Sequence, residues 1–257
     1  MNFLPTRFFA VALSLLPVIW PHAAFAENPV FELTAGTIPA VPAAVADRDI
    51  LGLKLGMTPE AIIQVLTAEG YTHETREAAV SATANGQTAN SLPYTVRIVG
   101  SISDGSAANI VVVFFTSPLN GNGAYSINRY VKYHPQTGPS TAEMLSLLSS
   151  KYNINYGRAK NYEDAMLAEG QNERPLGDTI SSPDAYPFVR ETLDSGRPNP
   201  LAYFFSAGVK EDSSGRVSEL AVALLNGQIY LKDKADLKNA ISSFEQGNVK
   251  QETTPKL

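Results

Sequence analysis

The chain has 257 residues, with 20 basic and 25 acidic side chains, a formal net charge of −5 and no cysteine. This moderately acidic balance argues against nucleic acid or an anionic membrane surface as the main partner. The lack of cysteine excludes disulfides, thiolate metal sites, a cysteine nucleophile and lipid attachment through cysteine.

The first 26 residues have the pattern of a secretory signal peptide. Arg7 supplies the positive charge, residues 8–20 form the apolar core, and Ala26 ends the small-residue cleavage site before Glu27. An uncleaved membrane anchor is the alternative, but the apolar run is short for a span and is broken by proline. We therefore expect a soluble periplasmic or secreted protein without a transmembrane segment or a lipid anchor.

The composition of the remaining chain suggests several divisions. The expected divisions are a leader rich in Ala and Pro at 27–47, an α+β domain at 48–246 with candidate halves 48–135 and 136–246, a surface excursion at 168–200 and a disordered tail at 247–257. The leader could instead lie on the fold as an edge segment. A loop as long as the excursion is either functional or mobile. The two halves are suggested because each begins with a capped helix followed by strands.

The clearest local signal is the sequence DILGLKLGMTPEAIIQVLTAEGY at 49–71. It predicts a half-buried extended segment, a tight turn, and a capped amphipathic helix closed by glycine. The residues that carry this motif are Gly56 in the turn, Met57 before the cap, Thr58 at the N-cap, Pro59 at the first helical position and Gly70 at the end. Proline fits there because the first turn of a helix leaves its N–H groups unpaired.

Three strand signals follow, and then a second capped helix. Residues 94–98 alternate polar and apolar, residues 110–115 are apolar throughout, and residues 124–133 form a longer strand. Ser140 and Glu143 have capping-box spacing at the start of the second helix. Further along, 201–206 and 217–225 predict a strand pair, and 233–244 a last helix. Consecutive strands with short turns favour an antiparallel sheet with helices packed on one face.

Gly56, Met57 and Thr58, with the apolar stripe that follows them, lie in the sequence GLKLGMTPEAIIQVL, which resembles a signature of small bacterial envelope modules. The outer-membrane assembly lipoproteins of the SmpA/OmlA type look like this, as does the tandem-repeat β-lactamase inhibitory protein. The sequences FTSPLNGNGAYSINRYVKY and STAEMLSLLSSKY resemble uncharacterised exported proteins of Gram-negative bacteria. The resemblance implies an α+β module that binds other proteins. The missing cysteine means that lipid anchoring does not carry over.

Few residues suggest catalysis or metal binding. His73 and His134 are the histidines after residue 26, and they lie on separate elements, whereas a metal site needs three or four convergent ligands. Acidic residues near turns lack the spacing of a calcium loop, and no nucleotide-binding motif or serine elbow is present. We predict no catalytic residue, no metal and no cofactor, although two carboxylates could still meet in space.

Tyrosine stands out, with 11 in the chain. The predicted strand at 124–133 assigns the odd-numbered residues Tyr125 to Tyr133 to one face and the even-numbered residues to the other. The candidate interaction surface consists of Tyr125, Arg129, Tyr130, Lys132, Tyr133 and His134. Tyrosine and arginine are enriched in interface hot spots, but aromatic residues are also ordinary in strands.

The sequence therefore predicts a non-enzymatic protein–protein interaction module of the cell envelope that binds an unidentified envelope protein. A carrier that holds a small ligand between sheet and helices, or a hydrolase acting on an envelope substrate, is the alternative.

Overall fold

A computed structural model describes residues 31–41, 43–105, 107–152, 166–167 and 203–248. The predicted signal peptide, the excursion at 168–200 and residues 249–257 of the predicted tail lie outside the described residues.

The described chain is an α+β fold built on an antiparallel sheet, which confirms the predicted class. The helices are α1 (Ala43–Ala46), α2 (Pro59–Ala68), α3 (Thr141–Tyr152) and α4 (Gly227–Asn248), with a 3₁₀ turn at Pro118–Asn120. The strands are β1 (Thr72–Ala78), β2 (Ser81–Ala84), β3 (Gln87–Asn90), β4 (Tyr94–Ser103), β5 (Ala107–Phe115), β6 (Ala124–Tyr133), β7 (Met166–Leu167), β8 (Tyr203–Glu211) and β9 (Val217–Asn226).

The main sheet has the order β1-β4-β5-β6-β9-β8-β7, and β2 with β3 forms a separate hairpin. Because β6 pairs with β9, strands from both predicted halves belong to one sheet. The proposal that the halves are repeats stays a prediction. The strand β6 lies in the middle of this sheet. The strands on one side of it contact α2, and those on the other side contact α3.

Alternation along the strands gives the sheet two faces with separate cores. On the first face, Ile98, Val113 and Ile127 pack in the same buried cluster as residues of α2 and α3. On the second face, Ala221 and other small or apolar side chains cluster with the first turns of α4. The predicted packing of helices on one face of the sheet therefore holds for α2 and α3, whereas α4 begins on the opposite face.

The motif around α2 forms as predicted. The Thr58 hydroxyl accepts a hydrogen bond from the Ala61 N–H at 3.4 Å, and Gly70 has the left-handed φ of 81° that ends the helix. The turn before the helix docks on β6, because the Gly56 N–H donates to the Ala124 carbonyl at 2.8 Å. The Ala124 N–H in turn donates to the Met57 carbonyl at 2.9 Å.

The predicted extended segment before α2 is wrong in detail. Ile50 and Leu53 pair their backbones across a tight turn, in which Leu51 has a φ of 58°. Leu53 and Leu55 are nevertheless buried. The apolar pattern therefore predicted which side chains are buried but not the backbone conformation.

The second capped helix also agrees with its prediction. The Ser140 hydroxyl donates to the Glu143 carboxylate at 2.8 Å, and the Glu143 N–H donates back to the Ser140 hydroxyl at 3.3 Å. These bonds lower the pKa of Glu143. Tyr152, the last residue of α3, is buried against the sheet.

The part of the predicted leader that the structure describes, from residue 31 onward, packs on the fold without forming a strand. The Gly36 N–H donates to the Pro118 carbonyl at 2.9 Å, and Phe31 is buried. The Phe31 ring meets Phe244 of α4 edge-on, with ring centroids 5.1 Å apart. The leader thus connects the 3₁₀ turn to the far end of the last helix.

Strand β1 has no counterpart in the sequence prediction. Its residues THETREA are almost all exposed, so no apolar alternation marks it. It forms because β4 offers a backbone edge, with which β1 pairs from Thr72 to Ala78.

Candidate functional site

The six residues of the predicted interaction surface are divided between the two faces of the sheet. The pairing of β5 with β6 shifts register, so that Phe114 pairs with Ser126 and Phe115 with Ala124. Tyr125 is the extra residue of this bulge, and a bulge redirects side chains. The assignment of Tyr125 to the face of Ile127 is therefore wrong.

Tyr125 and Tyr130 lie on the second face. Tyr125 is buried, and its ring lies 5.4 Å from the Tyr230 ring of α4. Burial, together with the nearby Glu219 carboxylate, raises the pKa of Tyr130 to about 12. Lys132 on this face and His134 after the strand are exposed. These four residues do not form one surface with the other two.

Arg129 and Tyr133 lie on the first face, where they meet residues that were not predicted. Arg129 lies opposite Val111 of β5 and Val222 of β9, both fully or nearly buried. Its side chain is half-buried, and its Nε–H donates to the Asn109 amide oxygen at 3.2 Å. A charged side chain thus emerges from the middle strand of a sheet whose neighbouring positions are core.

Two buried tyrosines from the helices flank this arginine. Tyr71 follows the end of α2 and lies over Gly100, where an added Cβ would stand 3.4 Å from the Tyr71 ring. Tyr152 ends α3 and packs against Phe205 of β8, with ring centroids 4.6 Å apart and the rings tilted by 52°. Arg129 therefore lies at the seam between the two helices. We call Asn109, Arg129, Tyr71, Tyr133 and Tyr152 the Arg129 site.

The positive charge of Arg129 affects the pKa of all three tyrosines of the site. Burial raises the pKa of Tyr71, Tyr133 and Tyr152, and the positive charge of Arg129 opposes that rise at each of them. The three aromatic side chains therefore lie close to one guanidinium group. Such an arrangement combines a directed charge with hydroxyl groups and apolar ring surface.

One polar group of the site is incompletely bonded. The Tyr71 hydroxyl is buried, only 7% of the residue is exposed, and no described residue meets the hydroxyl at full hydrogen-bonding geometry. Arg129 lies beside it, and its guanidinium group, as a charge and as a weak hydrogen-bond donor, opposes the rise in the pKa of Tyr71 that burial causes. Buried hydroxyl groups are normally bonded, because an unsatisfied one costs free energy.

Arg129 also has no acidic partner among the residues that the structure describes. Among the described residues, the ion pairs join Lys151 to Asp49, Lys210 to Glu219 and Lys232 to Asp236, and none includes Arg129. Arginines that are withdrawn from water are normally paired with a carboxylate. The site can therefore supply the outer N–H groups of Arg129 to an acceptor from outside the chain.

Sequence reasoning found Arg129 and Tyr133 but missed Asn109, Tyr71 and Tyr152. The missed residues come from β5, from the residue after α2 and from the end of α3. Of the three, only Tyr71 had a usable signal in the sequence, because an aromatic residue directly after a helix-ending glycine is expected to pack back onto its helix. Nothing in the sequence placed them around one arginine.

A second polar cluster ties α4 to the 3₁₀ turn. The buried Asp233 carboxylate accepts hydrogen bonds from Ser117 and from the Asn120 side chain, the latter at 2.9 Å. Asn120 also donates to Asp236 at 3.0 Å and accepts from Lys232 at 2.7 Å. The bonds of this cluster join α4 to the 3₁₀ turn, so the cluster serves to position α4.

The described residues contain no group of three or more histidine, cysteine or acidic side chains that could hold a metal ion. Within the same residues, no helix is both long and apolar enough to cross a membrane. No family model, curated protein or solved structure matches the chain. The resemblance to envelope modules stays a hypothesis based on the residues around Gly56.

Proposed function

We propose that this chain is an exported, non-enzymatic interaction module of the cell envelope that binds another protein through the Arg129 site. One observation carries the proposal. Arg129 projects from the middle strand of the sheet into the seam between α2 and α3, and no described acidic residue pairs with it. Tyrosine and arginine are the residue types that dominate binding energy at interfaces.

The energetics of the free protein support this proposal. A half-buried guanidinium loses hydration without gaining an ion pair, which costs free energy. A partner that provides an acceptor recovers that cost on binding. An acid of the chain itself could have paired with Arg129, but Asp49, whose charge reaches Tyr152 of the site, is paired with Lys151 at 3.0 Å.

The test is site-directed photocrosslinking in cells. A photoreactive side chain at Glu69, which is exposed and close enough to raise the pKa of Tyr71, should crosslink one protein. The same group at exposed Lys132 on the opposite face is the matched control and should not. Adding Arg129→Gln should abolish the Glu69 crosslink. A crosslink that survives Arg129→Gln, or that forms equally from Lys132, would contradict the proposal.

A small-ligand carrier is the second candidate, and the position of the Arg129 site between sheet and helices favours it. Native mass spectrometry distinguishes the two functions. A small molecule that accompanies the purified protein and is lost in Arg129→Gln would indicate the carrier. No observation in the described structure favours the hydrolase alternative.

A further inference from the structure

We infer that the Arg129 site is a receptor for a single carboxylate group, held by the outer N–H groups of Arg129 and by the Tyr71 hydroxyl. The inference rests on the proposed binding function and names the chemistry of its ligand.

The orientation of Arg129 is fixed from one side. Its Nε–H donates to the Asn109 amide oxygen at 3.2 Å, and this uses one of the five donors of the guanidinium group. Beyond this bond and the weak interaction with the Tyr71 hydroxyl, the described residues give the terminal N–H groups no acceptor. Two parallel N–H groups match the two oxygens of a carboxylate, which is the geometry that makes arginine–carboxylate pairs strong.

Tyr71 supplies a second kind of donor. Its hydroxyl is buried beside the same guanidinium, and no described residue accepts its proton. A carboxylate has about four lone-pair positions, so it can accept from both arginine and a tyrosine hydroxyl at once. Binding would give this proton an acceptor, while the hydroxyl oxygen stays beside Arg129.

The surrounding charges favour a singly charged anion. The Glu69 carboxylate raises the pKa of Tyr71, and Asp49 acts in the same direction on Tyr152. Lys151 balances Asp49 with an ion pair at 3.0 Å, and the Arg48 guanidinium, which donates to the Tyr152 carbonyl, lies 5.0 Å from the Phe205 ring beside the site. Glu69 repels a phosphate dianion more strongly than a carboxylate, because the repulsion grows with the charge of the ligand.

The carboxylate can belong to an acidic side chain or to a chain terminus, since both present the same group. The experiment is an NMR titration of the full-length purified protein, following the Arg129 Nε–H signal, which is assigned by its loss in Arg129→Lys. Acetate is the first probe, with chloride and phosphate at equal ionic strength as controls. A saturable shift with acetate alone is expected, and equal shifts with all three salts would overturn the inference.

Variants test the two donors separately. Tyr71→Phe removes the hydroxyl and keeps the ring, so acetate affinity should fall about fivefold to tenfold. Arg129→Lys keeps the charge but loses the paired N–H groups, and should weaken acetate binding by about tenfold or more. Lys132→Gln, on the opposite face, should bind acetate as the parent does. Unchanged affinity in Tyr71→Phe would overturn the role given to its hydroxyl.

Short synthetic peptides then distinguish the sources of the carboxylate. An N-acetylated alanine tripeptide with a free terminus represents a chain end, and an amidated Ala-Glu-Ala peptide represents a side chain. Binding of either supports the receptor, whereas equal binding of an amidated alanine tripeptide contradicts it. A crosslinked partner without acetate binding would overturn this inference alone. Acetate binding without any partner would overturn the proposed function alone.

Discussion

Asp233 of α4 accepts two hydrogen bonds from Ser117, one from its N–H at 3.0 Å and one from its hydroxyl at 2.6 Å. The two residues are separated by 116 positions in the chain. Both residues are buried, so water does not reach the donors of this turn. The Asp233 carboxylate accepts from donors that would otherwise be unpaired. This contact fixes the start of α4 against the connection between β5 and β6.

Asp233→Asn replaces one acceptor oxygen by a donor that faces other donors. We expect the free energy of unfolding to fall by about 2–3 kcal/mol, because buried partners are left unsatisfied. Urea unfolding followed by circular dichroism measures the change. Asp236→Asn is the matched control: its ion pair with Lys232 is partly exposed, so a loss within about 0.5 kcal/mol is expected. Equal losses in the two variants would contradict this stabilising role of the buried Asp233 carboxylate.

Gly36 should be intolerant of any side chain. A Cβ there would stand 1.9 Å from the Leu119 carbonyl oxygen, which belongs to rigid backbone. Gly36→Ala should therefore destabilise the fold by about 2 kcal/mol or more, since the 3₁₀ turn must move. Gly247→Ala, where no atom lies within 4 Å of the new Cβ, should be neutral or slightly stabilising. If Gly36→Ala unfolds like the parent, the leader does not pack as described.

The N-cap of α2 should contribute modestly. Thr58→Ala removes the acceptor for the Ala61 N–H, so we expect a loss of about 0.5–1 kcal/mol. Thr58→Ser keeps the hydroxyl and should retain most of the parent stability. Thermal unfolding of the three proteins makes the comparison, and a loss in Thr58→Ser as large as that in Thr58→Ala would point to packing of the methyl group instead.

Tyr130 should make the fold sensitive to alkali. Its pKa is raised to about 12 in the folded state, from an ordinary value of 10.0. Because the folded state holds the proton more tightly, this contribution to stability is complete below pH 10 and is lost as the pH rises toward 12. In Tyr130→Phe, urea midpoints measured from pH 9 to 11.5 should decline less steeply than in the parent. An identical decline would show that Tyr130 titrates normally.

How much could be predicted from sequence depended on whether the signal was local. The caps at Thr58 and Ser140 and the glycine at Gly70 were correct, since each depends on hydrogen bonds or backbone conformation within a few residues. Strand β1 was missed because its exposed residues have no apolar period. The last helix was predicted from Asp233 but begins at Gly227, where the Ile229 N–H donates to the Asn226 side chain at 3.1 Å.

The sequence alone determined the α+β class and the positions of the capped helices. Both follow from local signals, because the period of apolar residues and the capping hydrogen bonds involve residues that are close in sequence. Tertiary structure decided the site. A single-residue bulge opposite Phe114 turned Tyr125 away from Arg129, and the packing of α2 and α3 on the sheet brought Tyr71 and Tyr152 toward it. Register between distant strands depends on the whole set of backbone pairings, and a shift of one residue exchanges the faces.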